Sequence, residues 1–242
     1  MKTTITKTIF LLAILCQCIA CSSPQPAIDI SSYRHSVFQW IYPEYNLKAE
    51  VAEIKTEPHN DMAYRDIDFF GFTAKVPSQY THTTVNVGKY AIAFKGKNNK
   101  TTVLVSLDDE AQLLCSENAK QREMDFCSSF DSAEEYYHKM YTMTADDIDE
   151  TTTTGDMFLI HSKGVLFEKV EKIKIYKGDD FTAYANFHSG YDARIKEELI
   201  IFHDALPKHM YFRIGLRLSE SDAETFLATL GQAPRQHIID QG

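Results

Sequence analysis

From Lys172 onward apolar and polar positions alternate almost without a break. Ile173 and Ile175, then Phe181, Ala183, Ala185 and Phe187, then Ile195, Leu199 and Ile201, then Met210, Phe212, Ile214, Leu216 and Leu218 mark four strands. The joints at 178–180, 189–192 and 204–208 are short, which requires antiparallel neighbours. Lys196, Glu198, Arg213 and Arg217 occupy the opposite phase, so one buried and one wetter face is expected. Upstream, Phe70, Phe72, Ala74 and Val76 alternate up to Pro77, with Gly71 at a turn. Val85 to Lys95 and Thr101 to Leu107 read as two further strands, joined by a hairpin turn over 96–100 that contains Asn98 and Asn99. Leu47 to Lys55 fits helical and strand spacing equally and stays open.

The middle third changes period. Asp108 or Asp109 can cap a helix running to about Lys120, and Ser132, Ala133, Glu134, Glu135 form a capping box ahead of Tyr136, Tyr137, Met140 and Tyr141. Asp156 to Phe167 predicts a short helix interrupted or ended near Gly164. A last helix opens at Ser221, Asp222, Ala223, Glu224, carries Phe226, Leu227 and Leu230 on one face, and stops at Gly231. The expected fold is α+β: one antiparallel β-sheet flanked by helices, a single domain over 46–232 with a tail at 233–242.

The N-terminus has its own pattern. Lys2 and Lys7 precede the apolar run Phe10 to Ile19, followed by Ala20, Cys21, Ser22 and Ser23. Residues 1–20 read as a secretion signal, and the run is well short of the ~20 residues a membrane-spanning helix needs. Ile19, Ala20 and Cys21 resemble the lipobox of bacterial lipoproteins, with Cys18 where that family usually has Leu. The resemblance implies cleavage before Cys21, acylation of its amine and sulfur, and, from Ser22, an outer-membrane address facing the periplasm or cell surface. An ordinary signal peptide cleaved near Ala20 or Cys21 is the alternative. Residues 21–45 then form a tether, with Pro24 and Pro26, and an apolar segment of Val37, Phe38, Trp40 and Ile41 that packs on the domain or docks a partner.

With the signal removed and Cys21 lipidated, Cys115 and Cys127 remain, and in an oxidising compartment they are expected to form a disulfide, the alternatives being two free buried thiols or a redox or metal role. A bond closing so short a loop stabilises by about 3 kcal/mol. The chain has 25 Lys and Arg against 34 Asp and Glu, a formal charge of −9. Loss of Lys2 and Lys7 with the signal makes the mature chain more acidic still. Such a chain is a poor electrostatic match for nucleic acid or anionic lipid, so the membrane link has to be covalent.

No H-x-x-x-H, GxSxG, S-x-x-K, P-loop or GxGxxG spacing occurs, so no cofactor, metal or catalytic residue is assigned. His138 and His161 read as ordinary surface or satisfied histidines. The acids around Asp146, Asp147, Asp149 and Glu150 lack EF-hand spacing, and Asp108 to Glu110 and Asp179, Asp180 read as caps and turns. The order of elements, with GFTAKVP at Gly71 to Pro77 leading into a hairpin and a helix after the last strand, resembles the PsbP-like sandwich. That resemblance implies a non-catalytic accessory or assembly role. The expectation is a lipid-anchored envelope domain that binds a protein partner; the alternatives are a periplasmic small-molecule or lipid carrier and an enzyme whose site assembles only on folding.

Overall fold

The computed structural model describes residues 43–55, 63–88, 91–96, 102–115, 129–149, 151–188, 198–215 and 219–232. In chain order these form β1 (Glu50–Glu53), β2 (Tyr64–Phe69), β3 (Phe72–Pro77), β4 (Tyr80–Gly88), β5 (Ala91–Gly96), β6 (Thr102–Asp109), α1 (Glu110–Leu114), α2 (Ala133–Thr142) and α3 (Thr154–Leu166). There follow β7 (Lys172–Lys177), β8 (Phe181–Phe187), β9 (Glu198–His203), β10 (Met210–Gly215), α4 (Glu220–Ala228) and β11 (Gly231–Gln232). The class is the expected one: a single α+β domain of antiparallel-rich sheet flanked by helices.

The meander β7 to β10 forms as its alternation predicts, and it continues into β6, β5 and β4 because β10 pairs antiparallel with β6, Phe212 opposite Leu107. β1 closes the other end of this eight-stranded sheet by pairing in parallel with β7, Glu50 opposite Lys174. Within the ambiguous stretch Leu47 to Lys55, Glu50–Glu53 is thus an edge strand and no helix forms. A second sheet, β11-β3-β2, is separate, so the expectation of one sheet is corrected to two.

The strands β7 to β10 are buried on both faces, which corrects the expected wet face. Phe181, Ala183 and Ala185 of β8, Leu199 and Ile201 of β9, and Phe212 and Ile214 of β10 meet the small sheet and α4 on one side. Tyr184, Ile200, Phe202 and Tyr211, from the alternate positions, meet α2 and Leu159 of α3 on the other. Strands sandwiched in this way read as near-continuous apolar runs such as Leu199 to Phe202, and a single wet face cannot be inferred from them. Of the four polar residues of the opposite phase, Glu198 and Arg213 are half-buried; Lys196 and Arg217 lie outside the described residues, as do Ile195, Leu216 and Leu218.

Several boundaries move for local reasons. Val85 to Lys95 is not one strand: Gly88 pairs with Ala91, so only residues 89 and 90 separate β4 from β5. β2, unforeseen, pairs with β3 across a two-residue turn in which Phe70 and Gly71 have φ of 47° and 82°. Gly suits that left-handed conformation, whereas Phe70 adopts it with its ring stacked 6.3 Å from Phe212. α3 runs straight through Gly164, because the missing side chain is filled by Tyr45: a Cβ there would lie 2.2 Å from the Tyr45 ring. α4 is capped two residues early, by Ser219, whose hydroxyl accepts from Asp222 N–H. Gly231 does not stop α4, which ends at Ala228, but opens β11 against Thr73 of β3.

Candidate interaction site

The chemistry-bearing residues singled out above are mostly spent on architecture. Asp109 caps α1, Asp108 pairs with the Arg213 guanidinium, and Glu110 Oε2 accepts from Ala133 N–H at 3.2 Å, tying α1 to α2. Ser132 caps α2 by accepting from Glu135 N–H, but the Glu135 carboxylate returns to Asp131 N–H instead of Ser132. Asp147 and Asp156 form reciprocal caps with Thr144 and Thr153. His138 and His161 are exposed on α2 and α3. Among the described residues no three His, Cys, Asp or Glu side chains gather to hold a metal ion, and no helix there is long and apolar enough to cross a membrane. Cys115 is the C-cap residue of α1, while Cys21 and Cys127 lie outside the described residues.

His203 resembles half of a catalytic dyad but is placed as a turn fastener. Its Nδ1 accepts from Ala205 N–H at 3.1 Å, and Nε2 faces Asp180 Oδ2 at 3.4 Å with a side chain 1% exposed. Nε2 is buried.

Lys163 was missed in the sequence. It sits on α3 in helical phase with Leu159 and Ile160, so the period that buries them buries its ammonium too. Nζ donates to the carbonyls of Leu47 at 2.5 Å and Met143 at 2.6 Å, joining the lead into β1 to the end of α2. Burial pushes its pKa down to about 8, with Asp147 pulling the other way.

Among the described residues, the β1 end of the large sheet presents an edge with no further strand beside it. Ile54 N–H donates to Lys177 O, so by strand alternation the main-chain groups of Ala52 point at β7, and those of Val51 and Glu53 point away from it. Val51 is 65% exposed, whereas Ala52 and Ile54 pack on the core. Beside this edge lies a groove of about 420 Å³ lined by Glu53, Ile54 and Lys55 and by Ser221, Glu224, Thr225 and Ala228 of α4.

A charged network fixes the groove's walls. Lys172 Nζ lies 3.1 Å from Glu220 Oε1 and 3.4 Å from Glu50 Oε2, bridging α4 to β1. Lys174 pairs with Glu220 and, at 3.1 Å, with Glu224, and its ammonium stands 5.3 Å from the Tyr176 ring centroid. The Tyr176 hydroxyl donates to Glu224 at 3.3 Å. Burial works to lower the Lys174 pKa, yet the bonds to Glu220 and Glu224 hold it above its ordinary value; the same contacts hold Glu220 below its own. Individual exposed pairs are worth about 0.2–1 kcal/mol, so the network's effect is to orient the edge more than to stabilise the fold. Comparison with known proteins adds no relative: no family model matches the chain, and no curated protein matches it.

Proposed function

We propose that this chain is a lipid-anchored domain of a bacterial cell envelope that binds a protein partner and does no chemistry of its own. The observation that carries the partner-binding part is the end strand β1, an edge with no further strand beside it among the described residues, whose Glu50 is tied by Lys172 to α4. Sheet edges of this kind are where extended segments of other chains add. The anchor is supported by the pattern at Leu11 to Ser22, with Cys21 as the acylated residue, and the acidic charge makes a covalent link the plausible route to a lipid surface. Disulfide formation between Cys115 and Cys127 belongs to the same reading, since it needs an exported chain.

Two measurements test it. Intact mass of the membrane-extracted protein is expected to show a chain beginning at acylated Cys21, and Cys21→Ser is expected to leave the membrane fraction. Crosslinking in intact cells followed by membrane extraction is expected to recover a reproducible protein partner. An unprocessed chain in the cytosol removes the anchor, and absence of any reproducible crosslink removes the partner.

A further inference from the structure

Independently of the partner-binding reading, we infer that the outward face of α3 at Val165 and Leu166 is the docking site of this chain's own segment Val37 to Ile41, with Trp40 as its main apolar contact. Val165 and Leu166 are each 52% exposed, side by side at the end of α3. Core packing does not require them, because Leu159, Ile160, Lys163 and Phe167 carry the buried side of the helix. Helix propensity does not explain Val165 either, since Val is a mediocre helix former.

The path of the chain into the domain selects the occupant. The 3₁₀ turn Pro43–Asn46 lies on α3. Leu47 O accepts from the Lys163 ammonium, Tyr45 fills the space over Gly164, and Glu44 Oε1 accepts from Lys169 N–H at 3.1 Å, just past the helix end. Lys163, Gly164 and Val165 follow one another round the helix in steps of about 100°. Traced backwards from Leu47, the chain therefore passes from the buried side of α3 over Gly164 toward Val165 and the helix C-terminus.

Reach decides which residues arrive there. Three extended residues span about 10 Å, close to the width of a helix with its side chains, roughly 10 Å. From Pro43 that brings Trp40 level with the uncovered pair, with Val37, Phe38 and Ile41 beside it; all four lie outside the described residues, and residues 22–36 hold no comparable apolar cluster. A second copy of this chain is the competing occupant, but two half-exposed side chains fall far short of the ~800 Å² per partner that a specific interface needs. A segment already attached does not have to reach that size, because its effective concentration is high.

Trp40 is the only tryptophan in the chain, so its fluorescence reads this contact directly. The full-length chain is used with Cys21→Ser, which keeps acyl chains and detergent away from the indole and frees the result from the anchor reading. The expected emission is blue-shifted and protected from acrylamide, and in the double variant Val165→Gln, Leu166→Gln it shifts to the red and is quenched like a free indole. Both positions are exposed and Gln is a good helix former, so the variant keeps its fold, which circular dichroism verifies. In urea unfolding, adding Trp40→Ala to the Gln pair is expected to cost less than Trp40→Ala alone, because residues in contact are not additive. Red, fully quenched emission in the parent chain overturns the inference, and so does protected emission that ignores the Gln pair. Additive losses in urea overturn it as well, as does protection that disappears on dilution together with a dimer in sedimentation, which would make the second copy the occupant.

Discussion

Tyr45 occupies the space that a side chain at Gly164 would need: a Cβ at 164 would stand 2.2 Å from Tyr45 Cε1 and 2.6 Å from Cζ. The ring is 2% exposed and packed with Ala145, Ile148 and Ile160, so it has nowhere to retreat.

Gly164→Ala is therefore expected to destabilise the protein by about 1–3 kcal/mol, although Ala is the better helix former by about 1 kcal/mol. Urea unfolding of the variant checks this. A Tyr45→Ala, Gly164→Ala pair should lose less than the sum of the single changes, because the clash vanishes with the ring.

The buried Lys163 predicts a rising alkaline limb of stability. Its pKa falls to about 8 in the fold, from 10.5. Between these values the unfolded chain holds a proton that the folded chain has released, so stability rises with pH across that window, by about 3 kcal/mol in all. Lys163→Met is expected to flatten the limb in denaturant titrations between pH 8 and about 10. An unchanged slope in the variant would refute the assignment.

Above that window the aromatic layer acts with the opposite sign. Burial raises the hydroxyls of Tyr137 and Tyr141 well above 10.0, and Tyr211 to about 12. The unfolded chain then ionises first, and stability should fall as pH climbs past about 10. Absorbance of tyrosinate at alkaline pH is expected to appear together with loss of secondary structure for these residues, not before it.

If Cys115 and Cys127 are joined as proposed, mild reduction of the protein raises its mass by two hydrogens and lowers stability by about 3 kcal/mol. Cys115→Ser should show the same loss without further response to reductant. A protein whose mass and unfolding midpoint ignore reductant would exclude the bond.

How far these elements could be read in advance depended on what decided them. The meander β7 to β10 was legible because Ile173, Phe181, Ile201 and Phe212 carry the two-residue period themselves. Gly164 and Gly231 misled because glycine reads as a breaker locally, whereas here the requirement comes from Tyr45 in one case and from pairing with β3 in the other. β2 was hidden by its alternating acids, Asp66 and Asp68, which sit on its exposed side. Of the candidate site, Val51 and the Lys172 and Lys174 network could not be placed, since they depend on β1 meeting β7 and on α4 folding over both. Lys163 had a usable signal in its helical phase with Leu159 and Ile160; its partners, two carbonyls, leave no mark in a sequence.

The parallel pairing of β1 with β7 has a consequence for how the molecule comes together. Glu50 meets Lys174 across more of the polypeptide than separates any other partners in the large sheet, and such distant contacts are entropically slow to form. The first of the described strands to leave the ribosome is thus expected to be among the last to settle, so a chain exported as proposed would keep that end loose until most of the body has crossed.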